Sequence, residues 1–170
     1  MSNLIVLFGF PGAGKTTLAN AFIGQHAEYR HHDIYRYIEH YRKPDGSLIG
    51  EEFTIKAYQK MYQDLEAMTG STLLELGTNH PGFNIQKLKE LKTAWNVIIV
   101  FCILDKQECL KRTAQRERAF EEQALLRRFA RNFPAEHQNL CQQLELNYYL
   151  LDMGQSVEQQ VIYLETKIKK

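Results

Sequence analysis

Uninterrupted apolar blocks alternate along the chain with stretches whose apolar residues recur every three or four positions, the first pattern marking buried strands and the second amphipathic helices. The block Leu4-Ile5-Val6-Leu7-Phe8 is rich in β-branched residues and predicts a strand covered on both faces, as in a parallel sheet. Lys15 to Ile23 then reads as a helix packed through Leu18, Ala19, Phe22 and Ile23, with Gly24 as its stop. A weaker strand is predicted over Glu28 to His32. Asp33 follows as the N-cap of a helix running to about Arg42, and Lys43 to Ser47 reads as a turn.

The same reading continues to the end of the chain. Phe53, Ala57, Tyr58, Met61, Tyr62 and Leu65 give a helix over Glu51 to Met68, and Thr72 to Leu76 gives a strand closed by Gly77. After a turn at Pro81-Gly82, Ile85, Leu88 and Leu91 mark a helix to about Ala94. Val97 to Leu104 is the longest later strand, and a helix from Lys106 to about Gln115 follows it. A long helical region from about Glu121 to Leu144 should be broken by Pro134. Tyr148 to Leu151 is the last strand and Val157 to Ile168 the last helix. Strands alternating with helices imply right-handed crossovers, hence an α/β fold: a three-layer α/β/α sandwich around a five-stranded parallel sheet. No repeat or linker interrupts it, so residues 1–170 read as a single domain.

Composition narrows the picture only in places. With 44% hydrophobic residues among 170, the chain can bury a sizeable core. Lys plus Arg number 21 against 20 for Asp plus Glu, and this balance provides no overall field to attract polyanions. Any nucleic-acid contact must therefore be local. Cys102, Cys109 and Cys141 lack metal-ligand or CxxC spacing and read as core thiols in a reducing compartment. The amino-terminal apolar run is too short for a signal peptide or membrane span and has no basic residues before it, so a soluble cytoplasmic protein is expected.

The candidate chemistry starts between the first strand and the first helix. Gly9-Phe10-Pro11-Gly12-Ala13-Gly14-Lys15-Thr16 satisfies GxxxxGK[ST] in full, in the strand-to-helix context on which the P-loop depends. Glycines let the backbone curl round phosphate oxygens, with amide hydrogens and the helix N-terminus facing the negative charge. Gly9, Pro11, Gly12, Ala13, Gly14, Lys15, Thr16 and Thr17 are thus the candidate ATP-binding residues. Lys15 is expected to bridge the β- and γ-phosphates, and the Thr16 hydroxyl to ligate Mg²⁺.

Beyond this loop the chain resembles the small P-loop kinases of the nucleoside-monophosphate kinase type, a group that includes shikimate, gluconate and polynucleotide kinases. The segment Cys109 to Arg116 is similar to the arginine-bearing helix leading into the mobile lid of that family, and Ala124 to Phe133 to the helix after it. The resemblance implies a short lid around residues 116–124, with Arg112 stacking on adenine or touching phosphate and Arg116 or Arg118 closing over the γ-phosphate. Arg112 and Arg116 lie one helical turn apart and can lean into one cleft. They could equally form an exposed basic face balanced by Glu108, Glu117 and Glu121.

A kinase also needs a place for its acceptor. Asp33 stands at the predicted end of the second strand, where ligands of open α/β sheets gather, and can serve as a proton acceptor or only as a helix cap. Asp33 and Arg36 have the Asp-x-x-Arg spacing that resembles the acceptor site of polynucleotide 5′-hydroxyl kinases, and Glu75 to Asn79 is similar to their Asp-Thr-Asn segment. Thr78 and Asn79 then become candidate substrate contacts. The offset of Glu75 from Thr78 departs from that pattern. Glu75 could instead hold Mg²⁺ through water or be a plain surface carboxylate. His31 and His32 beside Asp33 suggest a metal cluster at first sight, but neighbouring strand residues face opposite ways and a joint ligand set is not expected.

Three readings follow. The first is an ATP-dependent kinase acting on a small hydroxyl- or phosphate-bearing acceptor. The second is a kinase of polynucleotide 5′-hydroxyl ends, with Arg36, Arg42 and Lys43 as a local basic patch. The third is a nucleotide-binding regulatory switch, although the Asn-Lys-x-Asp segment usual in GTPases is absent.

Overall fold

In the computed structural model, residues 1–44, 51–116, 126 and 128–169 are described. The proposed lid beyond Arg116, including Arg118, and the turn residues after Pro44 lie outside them. Strand β1 (Ser2–Phe8) leads into helix α1 (Lys15–Gln25), and β2 (Arg30–Asp33) into the short α2 (Tyr35–Ile38) and a 3-10 turn (Glu39–Tyr41). Helix α3 (Glu51–Glu66) precedes β3 (Thr72–Leu76), α4 (Pro81–Leu91) and β4 (Trp95–Ile103). Helices α5 (Lys106–Arg116) and α6 (Ala135–Gln143), strand β5 (Tyr148–Asp152) and helix α7 (Val157–Ile168) complete the chain.

The five strands form one parallel sheet in the order β2-β3-β1-β4-β5. Alternation along the central β1 sorts the core into two halves. Leu4, Val6 and Phe8 face one way and pack with Leu74, Leu76, Ile99 and Phe101 under α2, α3, α4 and α6. Ile5 and Leu7 face the other way and pack with Leu73, Val100 and Cys102 under α1 and α7 through Leu18, Phe22, Val161 and Leu164. A strand buried on both faces must be apolar throughout, which is why β1 and β4 appear in the sequence as unbroken blocks. The fold is thus the three-layer α/β/α sandwich expected from the sequence. Among the described residues no helix is long and apolar enough to cross a membrane.

Four local expectations need correction. Gly24 does not stop α1, which runs on to Gln25; nothing lies within 4 Å of where a Cβ on Gly24 would stand, and a helix tolerates glycine at such an open position. Pro81 is the first residue of α4 rather than part of a turn before it, since a helix start has no use for the missing amide hydrogen. Asp33 is the last residue of β2. From there its Oδ1 accepts the Tyr35 amide hydrogen at 2.9 Å, fixing the first turn of α2. The helix predicted from Asp33 to Arg42 is a single α-turn followed by 3-10 backbone.

Candidate active site

Parallel strands send all their carboxyl ends to one edge of the sheet, so the P-loop, Asp33 and Glu75 emerge side by side. Within the loop, Gly12 and Gly14 have φ of 78° and 92°, the left-handed region that side-chain-bearing residues avoid. Gly14 is also the N-cap of α1, whose first turn contains no acidic residue to compete with an anion. A Cβ on Gly12 would stand 2.5 Å from the Cys109 carbonyl oxygen and 2.9 Å from Thr113 Oγ1, so the loop rests directly against α5.

Lys15 is buried, and its ammonium donates to the Gly9 and Phe10 carbonyl oxygens at 2.8 and 2.9 Å. The cation is therefore stored inside the loop that would use it. Thr16 and Thr17 are exposed at the start of α1. Thr16 donates its hydroxyl hydrogen to Glu75 Oε2 at 2.8 Å, linking the loop to the end of β3.

Glu75 is 1% exposed, and its other oxygen, Oε1, shares a 2.7 Å hydrogen bond with His31 Nε2. Asp33 sits opposite Glu75 in the β2/β3 ladder. Burial pushes the Asp33 carboxyl above its ordinary range, the Tyr35 amide pulls it back, and the neighbouring Glu75 adds to the rise. A carboxylate shifted upward in this way is a stronger proton acceptor once ionised.

The sequence-based expectation for the two histidines needs dividing. His32 does face away from Asp33, meeting Tyr37 OH at 3.0 Å on the opposite side of the sheet. His31 and Asp33, two residues apart, share a face, and Glu75 joins them: one ligand atom from each lies within 4.8 Å of the others. The strand alternation contained half of this; the neighbour order that brings β3 alongside β2 did not show in the sequence.

In the loop after β3, Thr78 is buried and Asn79 half-buried. Asn84, which sequence reasoning did not single out, holds this loop from α4. Its Nδ2 donates to the carbonyl oxygens of Asn79 and His80 at 3.1 and 3.2 Å, while its Oδ1 accepts from Tyr62 OH at 2.9 Å. That clamp keeps His80 in the left-handed conformation, with φ 49°. Arg36 is exposed one turn beyond Asp33.

The arginines of α5 are placed less decisively. Arg112 lies against the P-loop, its Cβ 3.3 Å from where a Gly12 side chain would begin, but its guanidinium pairs with Glu108 at 2.9 Å. Arg116 is exposed at the end of the helix. The segment before α6 reaches back to the loop instead, with Phe129 stacked on Phe10 at 5.1 Å and Arg128 donating to Tyr35 OH at 3.4 Å.

The fold and the loop geometry invite comparison with known structures. No protein-family model matches the sequence, and neither does any curated protein. Solved structures do match. Shikimate kinase from Bacteroides thetaiotaomicron is 18% identical with a TM-score of 0.65, covering 99% of both chains. Shikimate kinase from Acinetobacter baumannii in complex with shikimate is 18% identical with a TM-score of 0.69, covering 99% of this chain and 93% of that one. Deoxyadenosine kinase from M. mycoides with bound dATP is 11% identical with a TM-score of 0.62, covering 99% of this chain and 100% of the other. The chain has the fold of the small P-loop kinases of the nucleoside-monophosphate kinase type.

Proposed function

We propose that this protein is an ATP-dependent kinase that transfers the γ-phosphoryl group to a small acceptor bound between Asp33, Arg36 and the loop bearing Thr78 and Asn79. The observation that carries this reading is the convergence of a closed P-loop, a stored lysine and two strand-end carboxylates at one edge of the sheet. The kinase folds of the neighbours, solved with shikimate and with dATP bound, support a small-molecule ligand here.

In the proposed reaction the loop amides and α1 hold the polyphosphate, and Lys15 exchanges the Gly9 and Phe10 carbonyls for β- and γ-oxygens. Thr16, with Glu75 behind it, presents oxygen donors of the kind Mg²⁺ prefers, and the ion when bound offsets charge on the phosphate oxygens. Asp33 takes the proton of the acceptor hydroxyl as that oxygen bonds to the γ-phosphorus. The bond to the β-bridging oxygen breaks, and ADP leaves with the electron pair. Arg112 and Arg116 lie on the helix that leads to the proposed lid of residues 116–124; Arg112 is assigned to the adenine or a phosphate, and Arg116 or Arg118 to closing over the γ-phosphate.

Arg42 is paired with Glu39 at 2.7 Å, which offsets one of the three charges in the basic patch a polynucleotide would need and favours a small acceptor. The test is a phosphoryl-transfer screen with ATP and Mg²⁺ across shikimate, nucleosides, nucleotides, sugars and 5′-hydroxyl oligonucleotides. Transfer to a small molecule is expected. Transfer only to oligonucleotide ends would replace the acceptor class, and slow hydrolysis with no acceptor at all would favour a regulatory switch.

A further inference from the structure

The two oxygens of Glu75 serve different neighbours. Oε2 faces the P-loop through Thr16, whereas Oε1 faces β2, where it meets His31 Nε2 at 2.7 Å. Asp33 stands on the same face of β2 as His31 and opposite Glu75, and ligand atoms of all three fall within 4.8 Å of one another. Two carboxylates thus sit side by side at the sheet edge, one of them 1% exposed. Among the described residues neither forms an ion pair with a lysine or arginine; the nearby Lys15 ammonium is turned to the loop carbonyls instead. Buried negative charge without a full cation beside it is unfavourable, and a dication would remove the deficit.

We propose that His31, Asp33 and Glu75 form a binding site for a first-row transition dication of the Zn²⁺ and Co²⁺ class, filled without nucleotide and separate from the ion that accompanies ATP. The chemistry of the donors selects the metal. An imidazole nitrogen suits zinc, cobalt or nickel, whereas Mg²⁺ takes oxygen donors and retains its water. His31 must bind as neutral imidazole through a ring nitrogen that carries no hydrogen, so a metal on Nε2 replaces the hydrogen bond to Glu75 and leaves the ring hydrogen on Nδ1. An ion there engages Asp33, the proposed proton acceptor, and would hold the protein inactive until it leaves. The site itself does not depend on the kinase reading, but this consequence does.

The test uses nucleotide-free, full-length protein titrated with Zn²⁺ by calorimetry against a competing chelator, and with Co²⁺ followed by visible absorption. One ion per chain is expected, with an imidazole-nitrogen signature when Cu²⁺ is substituted and examined by electron paramagnetic resonance. His31→Gln should weaken Zn²⁺ binding by about 10-fold or more and remove that signature, with thermal melts confirming that the variant is folded. Asp33→Asn provides a second variant, expected to weaken binding likewise. Absence of a bound ion, or an affinity unchanged in both variants, overturns the proposal. ATP binding with Mg²⁺ is measured separately, and its failure would count against the kinase reading while leaving the metal site standing.

Discussion

Two imidazoles, one half-buried and one fully buried, occupy opposite circumstances in this molecule. His31 lies at the carboxyl edge of the sheet with a carboxylate 2.7 Å from its Nε2. His137, on α6, is 0% exposed, and both its ring nitrogens lack a hydrogen-bond partner among the described residues. It is enclosed by Phe8, Phe101 and Phe133, with ring centroids 5.0, 5.8 and 5.1 Å away. Burial, reinforced by the charge of Arg131, lowers its pKa to about 4, and it packs as a neutral aromatic ring. The difference shows how one residue type divides between chemistry and packing: polar atoms with partners concentrate at the strand ends, and the interior accepts a polar ring only without its charge.

The contrast can be broken at several points. The largest effect is expected from Asp33→Asn, which keeps an oxygen for the Tyr35 amide and removes the proton acceptor. We expect kcat to fall by about 10² to 10⁴, read by the rate of transfer to whichever acceptor the screen finds. Its stability should be unchanged or higher at neutral pH. An acid whose folded pKa is raised binds its proton more tightly when folded, so its contribution is full below the ordinary carboxylate value, declines as pH rises past it, and is lost once pH exceeds the raised folded value.

His137→Phe is expected to do the reverse, sparing transfer and changing stability. The unfolded chain protonates this histidine below about 6.5 while the folded chain resists until about 4, so wild-type stability drops as pH falls across that window. The full penalty, below the folded value, is about 3 kcal/mol. Urea melts at neutral pH and at the acid end of the window should show the variant losing that much less than wild type, and equal losses would refute the account.

Asn84→Ala leaves Tyr62 OH and two loop carbonyls without their partner, at a cost of about 1–3 kcal/mol. Its additional signature should be a higher KM for the acceptor with the KM for ATP little changed. The smallest effect belongs to Glu108→Gln, which removes an exposed pair with Arg112 and should alter stability by less than about 0.5 kcal/mol in thermal melts.

How far the sequence foretold all this depends on the range of the interactions involved. Thr72 to Leu76 and Val157 to Ile168 were readable to the residue because local pattern decides them: an apolar run closed by glycine, and a helix whose Ser156 and Gln159 cap each other. The P-loop was equally legible, since its glycines are required by local backbone geometry. The meeting of His31 with Glu75 was not, because it needs β3 to insert between β2 and β1, and strand order is a property of the whole sheet. Asn84 escaped for a related reason: an asparagine on a helix looks like an ordinary surface residue until its neighbours are known.

The close seat of Gly12 on α5 ties two working parts into a single joint. Because the Cys109 carbonyl and Thr113 occupy the space where a larger residue 12 would need to go, a change at the phosphate loop must displace the stem of whatever follows Arg116. Grafting a different cap onto that stem to alter substrate range should therefore succeed only if the Cys109 to Thr113 surface is carried over unchanged, much as a new door must match the old hinge plate.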